Sequence, residues 1–128
     1  MLCGAWLIAL GLYFMLFRPA LLPEDQKFLG TTQEVIHTQI PGLVGWLRLV
    51  FDVMGGFIVS SGVLTFFVGW RVIDAEVPGT LAAAALSVFT GMGLMSAVNF
   101  ALASDFQWLL VAPPTIGAIG CILLAFGR

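Results

Sequence analysis

Arg48 and Asp52 stand four positions apart. That spacing sets two side chains on one face of a helix, within reach of an ion pair. Either charge alone would cost about 2.5–3.5 kcal/mol at the centre of a membrane-spanning helix, so such groups are kept paired, shallow or functional. Counted back from Trp70 at about 1.5 Å per residue, Asp52 falls near the opposite boundary of a roughly 30 Å hydrocarbon core. The pair therefore reads as a polar mouth at one end of a helix bundle. It is either an interfacial ion pair or a contact for a polar headgroup, an ion or a partner's charge. Asn99, late in another apolar stretch, falls on the same side. Its amide is suited to bond a neighbouring helix, and Arg48, Asp52 and Asn99 form the candidate polar site.

Other chemistry is missing from the pattern. The single histidine, His37, cannot supply the two facing imidazoles of a b-type haem. Cys3 and Cys121 are not a redox pair and read as two isolated small hydrophobes. No His, Cys, Asp or Glu cluster has metal-ligand spacing. No nucleophile has a nearby base, and no glycine-rich loop could cradle a phosphate. The expectation is a protein that is not an enzyme and holds no cofactor through its own side chains. A bound lipid, or a pigment carried by a partner, is compatible with this.

The elements that must position these residues follow from composition. The 128 residues are 60% hydrophobic and 9% charged, with net charge −2 and mean hydropathy +1.07. Soluble domains carry about 25% charge, so a soluble fold is excluded. The absence of any basic run excludes a nucleic-acid partner. Charge-free stretches cover 1–17, 53–70, 77–104 and 106–127. With spans of about 20 residues required, the chain reads as a single all-α domain over 1–128. It is an integral membrane four-helix transmembrane bundle with spans near 2–21, 42–70, 79–102 and 107–126. The first span reaches 21 if Arg18 snorkels to the headgroups. Continuous apolar runs rule out the alternating strands of a membrane β-barrel.

The connector over 22–41 contains Thr31 or Thr32 as a helix cap, with Glu34 placed to assist. A short amphipathic helix there would set Val35, Ile36 and Ile40 on the headgroup boundary. The 71–78 link is short and polar. Trp6 and Trp70 fall at one interface and Trp46 and Trp108 at the other, as tryptophan prefers. Arg71 and Arg128 on the terminal side oppose Arg18, Lys27 and Arg48 on the other. With no export signal in view, both termini are expected in the cytoplasm of a bacterial inner membrane.

Small residues mark close-packing seams: Gly55, Gly56, Ser60 and Gly62 in the second span, Ala83, Ser87 and Gly91 in the third, Gly117 and Gly120 in the fourth. They either hold the bundle together or dock it to another protein. The segments Phe28-Leu29-Gly30, Leu47-Arg48 through Asp52-Val53-Met54-Gly55-Gly56, and Phe89-Thr90-Gly91-Met92-Gly93 resemble small four-span bacterial membrane proteins of unknown function, DoxX-like in layout. The resemblance implies a four-helix membrane fold and no established activity. The function expected from all of this is a non-catalytic accessory subunit packing laterally against other membrane subunits and lipids. The alternative is a small oligomeric transporter or channel using the polar site.

Overall fold

Pro19 decides where the first helix ends. A proline biases the residue before it away from helical angles, and in the computed structural model α1 covers Leu2–Leu16 and does not continue to 21. Its 15 residues span roughly 22 Å, less than a hydrocarbon core of about 30 Å. The structure describes residues 1–72 and 77–126. Ile73, Asp74, Ala75 and Glu76 of the expected link, and Arg128 of the charge count, lie outside the described residues.

The connector holds two short helices where one was expected. In α2, Pro23–Leu29, proline takes the first helical position, where its missing N–H costs nothing. The Leu22 N–H donates to Asp25 Oδ2 at 2.9 Å, and Gly30 closes the helix at φ +64°, a left-handed cap that suits glycine. In α3, Gln33–Gln39, Thr32 is the cap and accepts from the Val35 N–H. The third helical position is thus Val35 rather than Glu34, so the reciprocal glutamate contact has no place to form. Ile36 is buried, while Val35 and Ile40 are exposed.

Three long helices follow. The first, α4, covers Leu43–Phe67 and runs on through a π-helical turn, Val68–Val72. Next, α5 covers Thr80–Ala101 with a π-helical turn at Val88–Gly93, and α6 covers Gln107–Phe126. These three are long and apolar enough to cross a membrane; α1 is apolar but shorter. Among the described residues there is no strand.

Glycine sets the closest packing. Gly4 of α1 lies against Gly62 and Phe66 of α4, and Gly11 lies against Gly55 and Val59. Along α1 the contact advances by seven residues while along α4 it retreats by seven, so the helices are antiparallel. Two helical turns are close to seven residues, which keeps one stripe facing its partner. A Cβ on Gly62 would stand 2.7 Å from the Ile8 nitrogen and 2.9 Å from the Gly4 oxygen. Only glycine allows backbones this close.

In space α1 sits between α4 and α6, and α5 packs along α6. The α5–α6 turn passes through Ala103 at φ +49°. Leu7, Val88, Met92 and Leu110 are buried, but Leu49, Val53, Phe57, Leu123 and many other large apolar side chains face outward. In water such a surface would aggregate; in lipid it is the required one. Trp46, Trp70 and Trp108 are exposed. Trp6 turns its Nε1 inward, where it meets no acceptor.

Candidate functional site

Two prolines create the needs that organise the polar residues. In an uninterrupted helix the Met15 carbonyl would accept from residue 19, four positions on. Pro19 has no N–H to give. Arg48 supplies the donor from α4: Nη2 donates to the Met15 carbonyl and Nη1 to the Arg18 carbonyl at 3.1 Å. Arg48 Nε lies 3.4 Å from Asp52 Oδ1, with both side chains 41% exposed. The pair therefore does more than neutralise itself. It caps the end of an apolar helix, where unsatisfied carbonyls are costly.

Arg18 does not reach outward to water. Its side chain is only 11% exposed and pairs with Asp25 at 3.6 Å. The guanidinium lies 3.7 Å from the centre of the Phe51 ring and 5.2 Å from that of Phe14, a cation–π setting that favours arginine. Its Nη1 donates to the Pro19 carbonyl at 3.0 Å, whose partner at the next helical step would again be a proline, Pro23. Beside it, Ser104 in the α5–α6 turn donates to Glu24 Oε1 at 2.7 Å and accepts from the Phe106 N–H at 3.2 Å. The acids of α2 thus tie the connector to both ends of the hairpin pairs, α1–α4 through Arg18 and α5–α6 through Ser104.

The second need arises within α6. Pro114 leaves the Leu110 carbonyl without its usual donor. Ser96 of α5 donates its hydroxyl there, and its Oγ is also 3.0 Å from the Met92 carbonyl of its own helix. Ser96 is buried. One turn on, the Cys3 thiol of α1 approaches the Pro113 carbonyl at 3.6 Å, and Val88 fills the space that a side chain at Gly117 would need. Three helices meet at this junction. Both cysteines are free thiols.

The sequence-derived residues divide between these sites and the outer surface. Arg48 and Asp52 come together; Asn99 does not join them. Its amide donates to the Met95 carbonyl of its own helix at 2.9 Å. Among the seam residues, Gly55 and Gly62 pack on α1 and Gly117 on α5 and α1. A side chain at Gly56, Gly91 or Gly120 would meet nothing within 4 Å, and Ser60, Ala83 and Ser87 are exposed. Among the described residues no group of three or more His, Cys, Asp or Glu gathers.

Sequence reasoning missed Gly4 and Gly11, and it missed Ser96, Arg18, Asp25, Glu24 and Ser104 as partners. A signal for two of these sites was available: counting four residues back from Pro19 and Pro114 names Met15 and Leu110 as carbonyls in need of donors. No family model, curated protein or solved structure matches the chain. The DoxX-like resemblance accordingly rests on the residues quoted for it.

Proposed function

We propose that the chain is a non-catalytic subunit of a larger membrane assembly, packing laterally in a bacterial inner membrane with its termini in the cytoplasm. One observation carries this reading. Ala83, Ser87 and Gly91 lie on the exposed side of α5, and a Cβ at Gly91 would meet nothing within 4 Å. Small residues let helices approach closely, and this chain leaves that approach unused. The charges that a transport route would need are engaged otherwise: Arg48 on two carbonyls and Asp52, Arg18 on Asp25.

The test is Gly91→Leu, with its assembly state compared to that of the native chain. Both are isolated from native membrane in mild detergent, and co-migrating chains are identified. The variant should keep the thermal stability of the isolated subunit and lose its fixed-stoichiometry partners. Absence of any fixed-stoichiometry partner with the native chain would refute the reading; unchanged co-migration of the variant would move the contact away from Gly91. Solute movement by the chain alone in liposomes would favour a transporter instead.

A further inference from the structure

The polarity of α2 is inverted at its acids and its large apolar residues, while Lys27 between them is exposed. On a helix at a water surface, charges face outward and large apolar side chains face the protein. In α2 both acids turn inward: Asp25 meets Arg18 and the Leu22 N–H, and Glu24 meets the buried Ser104 hydroxyl. The large apolar residues turn outward, with Phe28 67% and Leu29 55% exposed. The next helix, α3, turns its acid outward, although Val35 is exposed beside it. It buries Ile36 and exposes Gln33, Glu34, His37 and Gln39.

We propose that α2 lies in the lipid, with Phe28 and Leu29 against acyl chains, and that α3 marks the return to water. Two further observations support that occupant. First, the approach to α2 turns no charge outward: Phe17 is 72% exposed, while the Arg18 side chain is 11% exposed and held by Asp25 and two phenylalanine rings. Second, the outward face of α2 is continuous with the outward apolar face of α4. A groove of about 210 Å³ between them is lined by Leu21, Phe28, Leu29, Leu47 and Phe51, with Asp25 beside Arg18. Beyond the groove, three residues on from Phe51, α4 presents Met54 outward, with Phe57 further round the helix. Lipid that solvates α4 therefore meets α2 without a step. A water-facing surface would leave two aromatic-to-aliphatic neighbours exposed while spending two carboxylates inside, the reverse of what solvation favours.

The test uses the native chain reconstituted in phosphatidylcholine vesicles, with two probes. A diazirine carried on the acyl chain labels residues in contact with hydrocarbon, and hydroxyl radicals generated in the aqueous phase label residues in contact with water. Peptide mapping should find diazirine adducts on Phe28 and Leu29, as on Phe57, with little oxidation at either position. His37 should show the opposite pattern. Oxidation at Phe28 and Leu29 without diazirine adducts would place α2 in water and overturn the proposal. Neither label at those positions would mean that a second copy covers them, which also overturns it. Labelling of Phe57 checks the membrane setting of α4 separately, and the subunit reading does not enter any of these outcomes.

Discussion

Removal of the Ser96 hydroxyl tests whether Pro114 is the reason for it. In Ser96→Ala the Leu110 carbonyl loses its donor, and with Leu110 only 8% exposed no solvent replaces it. An unmet buried acceptor costs about 1–3 kcal/mol in water-soluble folds. Hydrogen bonds between membrane helices average about 0.6 and reach about 1.7 kcal/mol, because the helices find other partners when separated. The expected loss for Ser96→Ala is therefore about 1 kcal/mol. Pro114→Ala returns an N–H to the helical position that serves Leu110. In that background the serine hydroxyl is redundant, and Ser96→Ala should cost about 0.3 kcal/mol or less, which leaves a coupling of roughly 0.7 kcal/mol between the two sites. The assay is unfolding of the four variants in mixed micelles by titration with a denaturing detergent, followed by far-UV circular dichroism. The hydroxyl has one proton and two carbonyls within reach, Leu110 and Met92. If it serves only Met92, Ser96→Ala costs the same in both backgrounds. Zero coupling would refute the proline explanation.

Two more substitutions check the packing and the cap. In Gly62→Ala a Cβ 2.7 Å from the Ile8 nitrogen forces α1 and α4 apart by roughly 0.7 Å and should destabilise the protein by about 1–3 kcal/mol. Gly56→Ala adds a methyl group in open space and should be neutral or gain up to about 1 kcal/mol from helix propensity; equal melting temperatures for the two variants would contradict the seam. At the cap, Asp52→Ala removes a half-exposed ion pair of about 0.2–1 kcal/mol. Arg48→Leu strands the Met15 and Arg18 carbonyls and should cost more, about 1.5–3 kcal/mol. The reverse order in the same unfolding assay would mean that a stranded cation, not an uncapped helix, governs this end.

Much of this protein was legible without tertiary structure. With 9% charge and long charge-free blocks, the chain was legible as helices apolar enough to cross a membrane, since backbone groups in hydrocarbon must be satisfied within the helix itself. The prolines were equally informative. Pro19 shortens α1, and Pro19 and Pro114 each name a carbonyl four residues back that must look elsewhere. These are local consequences of chain chemistry, so the local sequence contains them.

Which group answers each need is decided by how the helices rotate and slide against one another, and no local window records that. Arg48 reaches Met15 because α1 and α4 run antiparallel in the register set by Gly4, Gly11, Gly55 and Gly62. Gly56, one residue from Gly55, lies about 100° around the helix and faces outward, although the two look equivalent as sequence. Arg18 was read as snorkelling, yet Asp25 and two phenylalanine rings hold it inside. Asn99 and Arg48 share a side of the membrane in the span layout, but the amide closes on its own helix. The sequence by itself determined that the long helices are apolar enough to cross a membrane and where prolines leave carbonyls unpaired. Only the packed helices decided which side chains meet those breaks and which face outward, since a helix side chain's partner depends on rotation about an axis that apolar composition leaves free.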